Sequence, residues 1–217
     1  MERRTAVVSS LAVASLAVAL TACDIVPSNF SGETVTENRT AVAFDAVEIR
    51  GAADTTITVG PEYSITVRAG SDTIDDVRTS VQGSTLVIDE DDVATARRVE
   101  IAIETPSLTS VQILGAGSID VTGIDSDKFA IVIAGAGDVT AQGSTRSLVA
   151  IVAGTGEIKA TELLAADANV RLAGVGAIRV AASSTLEAEL SGVGEIHYVG
   201  DPSVTKNVSG VGTIAQD

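Results

Sequence analysis

Aliphatic residues in the C-terminal half of the chain recur at fixed distances from paired glycines. The pairs are Gly115 and Gly117, Gly135 and Gly137, Gly154 and Gly156, Gly174 and Gly176, Gly192 and Gly194, and Gly210 and Gly212, at intervals of 20, 19, 20, 18 and 18 residues. Two positions after each second glycine stand Ile119, Val139, Ile158, Ile178, Ile196 and Ile214. Two positions before each first glycine stand Ile113, Ile133, Val152, Leu172, Leu190 and Val208. A period near 20 predicts a solenoid in which each unit is one coil and buries its apolar side only by stacking on its neighbours. The aliphatic columns then become ladders inside a single-stranded parallel β-helix, rising about 29 Å over six coils at ~4.8 Å each. Glycine suits the corner because it takes positive φ and lets adjacent coils approach without a Cβ. Replacing Gly154 or Gly174 is therefore expected to strain the corner.

Before the repeats the pattern changes. Thr55 to Val59, Gly60-Pro61-Glu62 and Tyr63 to Arg68 read as a β-hairpin, and Val77 to Val81, Gly83 and Leu86 to Asp89 as another. Glu48 to Gly51, followed by Ala52, Ala53 and Asp54, reads as a degenerate repeat. These segments are expected to form an antiparallel cap over the N-terminal end of the solenoid, because an open coil edge invites pairing with other chains. The expected organisation is one all-β domain over residues 41–217, with six Gly-x-Gly coils from about 107 onward. Its right-handed sense is taken by analogy.

The first 22 residues follow a different logic. Arg3 and Arg4 precede a 15-residue apolar run from Ala6 to Leu20, which ends in the small residues Thr21 and Ala22. That is the anatomy of a secretory signal peptide, and the run is short for a membrane span. Leu20-Thr21-Ala22-Cys23 resembles the bacterial lipobox, which implies that Cys23, the sole cysteine, carries a lipid anchor. Residues 23–40, with Pro27, Ser28, Asn29, Ser31 and Gly32, read as a flexible tether reaching at most about 50–60 Å. The expected location is the extracytoplasmic face of the cell membrane, held through Cys23.

Composition narrows the core and the partners. The 45% hydrophobic content is mostly Val, Ile, Leu and Ala, with three Phe, two Tyr and no Trp, so the core must consist of small regular layers. Formal net charge is −15. Removing Glu2, Arg3 and Arg4 with the leader leaves 12 basic and 28 acidic residues. Such a surface is a poor match for nucleic acid, whose binding rests on basic patches, and it would be repelled by anionic lipid. Membrane attachment is therefore expected to be covalent. One cysteine excludes a disulfide framework and any cysteine-based metal site in a monomer.

A dinucleotide fingerprint needs a third glycine three residues on, where this chain has Asp120, Thr140, Lys159, Arg179, His197 and Ala215. Calcium β-rolls place an acid two residues after a glycine, whereas Asp138, Glu157 and Glu195 follow the second glycine directly and Ser118, Ala177 and Thr213 interrupt the row. Asp89-Glu90-Asp91-Asp92 reads as a solvated charged loop. His197 is the one histidine, and no Gly-x-Ser-x-Gly elbow accompanies it. Asp120, Asp138 and Glu157 beside Lys159, Arg171 and Arg179 would be the carboxylate and base set of a polysaccharide-acting enzyme, but any charged solenoid supplies such a set. Phe129 and Tyr198 are the aromatic residues of the repeats, to be assigned either to the core or to stacking on a ligand. No catalytic residue, cofactor or metal is expected. Asp120, Asp138, Glu157, Lys159, Arg179, Glu195 and His197 are the candidate surface-binding residues.

The segments Phe44-Asp45-Ala46-Val47 to Val59-Gly60-Pro61-Glu62-Tyr63, then Val99 to Ser107 and Val111-Gln112-Ile113-Leu114-Gly115-Ala116-Gly117, are similar to the bacterial head GIN domain family of auto-transporter adhesins. The resemblance covers about residues 41 to 215. It implies a parallel β-helix, exported and often lipid-anchored, with no catalytic residues to carry over. The functional expectation is a surface binding or adhesion module whose ligand is a cell-envelope or surface polysaccharide or protein. The alternatives are a structural envelope-maintenance lipoprotein and, third, a polysaccharide-acting enzyme.

Overall fold

A computed structural model of the chain describes residues 33–40, 42–90 and 98–217. The leader, Cys23 and residues 23–32 of the tether lie outside them. The described residues form strands and their connections only: β1 Thr34–Arg39, β2 Ala46–Ile49, β3 Ala52–Val59, β4 Ser64–Gly70, β5 Val77–Gln82, β6 Thr85–Glu90, β7 Glu100–Thr105, β8 Ser110–Ile113, β9 Ala116–Ile133, β10 Ala136–Val152, β11 Thr155–Leu172, β12 Val175–Leu190, β13 Val193–Val199, β14 Ser203–Val208 and β15 Val211–Gln216.

β9 to β12 are each nearly a whole coil, and they stack in parallel as β9, β10, β11, β12. β13 and β14 then supply the two sides of the next coil against β12, and β15 follows β13. Together they make a parallel β-solenoid of about 5 turns. Register is set by the glycine corners: Gly117, Gly137, Gly156, Gly176, Gly194 and Gly212 pair in succession. Ile119, Val139, Ile158, Ile178 and Ile196 form one fully buried ladder, and Ile113, Ile133, Val152, Leu172 and Leu190 another. Alternation of buried and exposed positions along each side follows from the two-residue period of a strand. Small and large residues share the inner layers: Ile131, Ala150, Val170 and Ala188 stack beside Phe129, Leu148, Ala168 and Leu186.

The two glycines of a corner are required for different reasons. The second has positive φ, +150° at Gly176, where a Cβ would also overlap the carbonyl oxygen of Gly156 in the coil before. The first has no such φ; at Gly174 a Cβ would overlap the carbonyl oxygen of Gly154. Positive φ alone therefore accounts for only half of each Gly-x-Gly.

The N-terminal end is closed by strands that change direction. One side of the solenoid continues from β9 to β3 and β7 in parallel, then to β4 and β1 antiparallel. The other continues from β9 to β8, β2 and β6 in parallel, then to β5 antiparallel. The connection from β4 to β5 passes from one side to the other, with Ile74 buried beneath it. Ile49 pairs with Ile113 and Ala53 with Gly117, so Glu48 to Asp54 does occupy a repeat position.

Two expectations are corrected. Thr55–Val59 and Tyr63–Arg68 do not form a hairpin: β7 lies between β3 and β4, parallel to the first and antiparallel to the second. β7 wins because its alternation of Ile101 and Ile103 with Glu100, Ala102 and Glu104 extends the core ladder, and β4 then covers its outer edge. The tether ends earlier than residue 40, since Thr34–Arg39 pair with β4; Val35 packs on the core and the Arg39 Nη2 donates to the Ile74 carbonyl at 2.9 Å. The second hairpin is found as read, with β5 and β6 joined through Gly83 and Ser84 and Gly83 at φ +68°.

These glycines separate strain from collision. Gly83→Ala meets no atom within 4 Å and carries only the cost of its φ, about 1–2 kcal/mol. Gly174→Ala carries only the collision, and Gly176→Ala both, so urea unfolding should show a loss rising from Gly83→Ala to Gly176→Ala, the last at about 3 kcal/mol or more. Equal losses at the three positions would refute this account of the corner.

Candidate functional site

The side that runs β1, β4, β7, β3, β9, β10, β11, β12, β13, β15 is one continuous ten-strand sheet. Nine inter-strand steps make it about 43 Å long. Side chains one residue after each second glycine form one outward column and those three residues after it form a second. Asp138, Glu157 and Glu195 stand in the first; Asp120, Lys159, Arg179 and His197 stand in the second. The structure thus brings all seven candidate residues onto one face. Arg171 is separated from them: it is on the opposite side of the solenoid, where its Nε lies 3.8 Å from Glu189.

Charges on this face are laid out in alternating chains. Near the N-terminal end Arg68 Nη1 lies 2.8 Å from Glu100 Oε2, Arg98 Nε lies 3.1 Å from Glu100 Oε1, and the Ser118 hydroxyl donates to Asp54 Oδ1 at 2.8 Å. In the middle the Glu157 carboxylate takes both Lys159 Nζ, at 3.3 Å, and the Arg179 guanidinium, while the Glu157 N–H donates to Asp138 Oδ1 at 2.8 Å. Exposed pairs of this kind contribute only about 0–1 kcal/mol each. Their effect is to hold long side chains flat and spaced along the coils.

Between β1 and β9 the face dips into a depression of about 410 Å³. Ala102 is its floor, because a methyl group stands there between Thr66 and Thr56 on the flanking strands. Arg68, Arg98 and Asp120 rise around it. Hydroxyls, carboxylates and guanidinium groups are thus offered together, a surface suited to hydrogen-bonding a hydroxyl-rich or backbone-rich ligand. Sequence reading missed β1, β3, β4 and β7 as parts of this face; the alternation of Glu100, Ala102 and Glu104 with Ile101 and Ile103 was the available signal.

The aromatic residues of the repeats are not available for stacking: Phe129 and Tyr198 are 1% and 6% exposed, inside the ladders. Nor is Glu90 a loop residue. It ends β6, paired with Val77, and its side chain lies against Gly51; burial pushes its carboxyl above the ordinary carboxylate range. Among the described residues no group of three or more His, Cys, Asp or Glu side chains could hold a metal ion. A more apolar depression of about 550 Å³, lined by Leu164, Ala165, Ala182 and Val199, lies at another corner. It follows the irregular register between Ala160 and Leu164, where β11 carries extra residues relative to β12.

His197 is fastened at both nitrogens: Nδ1 lies 2.5 Å from Asp217 Oδ1 and Nε2 3.2 Å from Glu195 Oε2. No ring nitrogen is left to activate a serine. The Asp217 bond, above all, raises the imidazole above its ordinary 6.5; burial opposes it, and Glu195 adds a smaller upward push. A raised pKa in the fold means that the ion pair stabilises fully below pH 6.5 and is lost as pH rises through the raised value. The melting temperature of the native chain should therefore exceed that of His197→Gln at about pH 5.5 and approach it at about pH 8.5. A difference that grows with pH would show the sign to be wrong.

A family profile described as "putative auto-transporter adhesin, head GIN domain" matches residues 43–202. A "putative adhesin" from Bacteroides fragilis superimposes with a TM-score of 0.72 at 22% identity, covering 86% of this chain and 98% of that one. A "putative adhesin" from Parabacteroides distasonis gives 0.54 at 15% identity, with 86% and 98% covered. A "putative lipid binding protein" from the same species gives 0.52 at 22% identity, with 87% and 98% covered. At these identities the likeness is one of fold. A search of curated proteins by sequence returns no match.

Proposed function

Because the chain belongs to the family described as "putative auto-transporter adhesin, head GIN domain", we propose that it is a non-catalytic surface binding module, exported and lipid-anchored through Cys23, whose ligand lies along the ten-strand face. The observation that carries this reading is the register: all seven polar candidates, scattered over 78 residues of sequence, fall into two adjacent columns of one sheet. The ligand class is a cell-envelope or surface polysaccharide or protein able to take many hydrogen bonds over an extended length. Charges already paired within the face give direction and registry to such a ligand, while the Thr36 and Thr56 hydroxyls beside Ala102 add hydrogen-bonding groups. The depression around Ala102, where hydroxyls, carboxylates and guanidinium groups are offered together, favours binding over envelope maintenance.

Co-sedimentation with isolated envelope and polysaccharide fractions tests the reading. We expect saturable binding that weakens about ten-fold or more on Lys159→Glu with Arg179→Glu and is unchanged by Arg171→Glu on the opposite side. Equal losses from both faces, or no saturable binding to any fraction, would refute it. For the anchor, Cys23→Ala is expected to move the protein from salt-washed membranes to the soluble fraction without changing its strand circular dichroism signal; retention on the membranes would sink that part of the proposal.

A further inference from the structure

The depression around Ala102 has a direction. Its lining comes from β1, β4, β7, β3 and β9, which neighbour one another in that order. Four inter-strand steps make it a trough about 19 Å long that runs along the solenoid axis, across the strands. Thr66, Ala102, Thr56 and Asp120 stand in register along its floor, and Arg68, Glu100 and Asp54 along one wall. The exposed methyl group of Ala102 keeps the floor low between two threonines, while guanidinium and carboxylate groups raise the wall. The floor column continues past β9 through Thr140 to Lys159 and Arg179.

Groups along the trough repeat at the strand spacing of about 4.8 Å. A pyranose ring joined through opposite ring carbons advances a linear polysaccharide by nearly that distance, so successive rings meet successive strands in one register. An extended peptide advances about 3.3 Å per residue and alternates its side chains, so it loses register within two strands. Nor can a peptide add here as a further strand. β4, β7 and β3 lie inside the sheet, each with its backbone paired to a neighbour on both sides.

Charge narrows the class again. Three carboxylates, Asp54, Glu100 and Asp120, line the trough against two guanidinium groups, Arg68 and Arg98. Both guanidinium groups already lie against Glu100. A polyanionic chain would be opposed by this acidic excess, and a neutral one would not. The Asp120 carboxylate and the Thr36 and Thr56 hydroxyls have no hydrogen-bond partner among the described residues, which leaves them for the hydroxyls of a ligand. Ala102 adds an apolar contact for the C–H groups of a ring.

Resting on the reading that this face is the ligand side, we infer that the trough takes a neutral, linear polysaccharide of 1,4-linked pyranose rings with both bridging bonds equatorial. The chain lies along the solenoid axis, with one ring for each inter-strand step of about 4.8 Å and so about four rings between β1 and β9. Equatorial linkage is required because it keeps the rings in a straight ribbon, whereas an axial bond turns the chain out of a straight trough. Beyond β9 the same ribbon follows the floor column to Lys159 and Arg179.

Competition on the full chain in detergent tests this, with the envelope fraction bound first and β-1,4-linked oligomers of glucose, mannose, xylose or N-acetylglucosamine added. At least one series is expected to displace the fraction, about ten-fold more strongly at four rings than at two. Polymannuronate, with the same linkage but a charge on every ring, and α-1,4-linked glucose oligomers, with an axial bond, are expected not to compete. Ala102→Arg fills the floor outside the core and should weaken binding about ten-fold or more with the strand circular dichroism signal unchanged; Asp120→Ala, which adds no bulk, should weaken it about three-fold or more. Loss of binding after protease digestion of the fraction, no displacement by any series, or equal displacement by polymannuronate would overturn the inference. Binding that falls with Lys159→Glu and Arg179→Glu but is untouched by Ala102→Arg and Asp120→Ala would overturn it alone, whereas no saturable binding at all would overturn the reading of the face as well.

Discussion

The structure depends on the close approach of backbone to backbone at the glycine corner. At each corner three successive N–H groups reach back to the previous coil: Ser191 and Gly192 share the Leu172 carbonyl, and Val193 takes that of Gly174. The carbonyl of the earlier coil occupies the space that a Cβ would need. This contact fixes the position of every coil relative to the one before. A slip of one residue would place a side chain in the corner and turn each aliphatic ladder outward. Specificity therefore comes from the corner, and bulk stabilisation from the buried Ile, Val, Leu and Ala columns it aligns.

Locked register is also what makes a surface out of scattered residues. Asp120, Lys159 and His197 have no local relation to one another, yet identical offsets from their glycines put them in one column. Variation in coil length is confined to other corners, as at Ala160 to Leu164, and leaves these columns undisturbed. The fold thus separates a constant side, on which polar groups can be placed at about 4.8 Å spacing, from corners where residues can be added.

A solenoid must also end twice. The N-terminal end is reached by a change of strand direction, with β4 and β5 turned against the parallel stack and β1 turned back again beside β4. The C-terminal end keeps the parallel direction and fills the mouth of the core with Lys206, bonded to the Ile214 carbonyl, and Gln216, whose Nε2 donates to the Gly200 carbonyl at 2.6 Å. Polar side chains close the core there, and Lys206 caps a carbonyl of the last strand.

The coils are legible in the sequence, because both causes are local and periodic: alternating aliphatics choose the buried side, and Gly-x-Gly marks the corner. From these the ladders and the shared face of Asp120, Asp138, Glu157, Lys159, Arg179, Glu195 and His197 could be read. Legible too is the β5 and β6 hairpin, whose turn at Gly83 is closed within a few residues. Which strands neighbour one another at the N-terminal end is settled by long-range packing. β7 displaces β4 from β3 across some forty residues of chain, because strand pairing there is settled by competition for one parallel edge and not by turn chemistry. The same competition recruits Thr34–Arg39 into the sheet, whereas Arg171 lies on the far side from Arg179 because the Gly174 and Gly176 corner stands between them. Pattern along a chain fixes which way a side chain faces; which backbone lies beside it is fixed by what else can reach that edge.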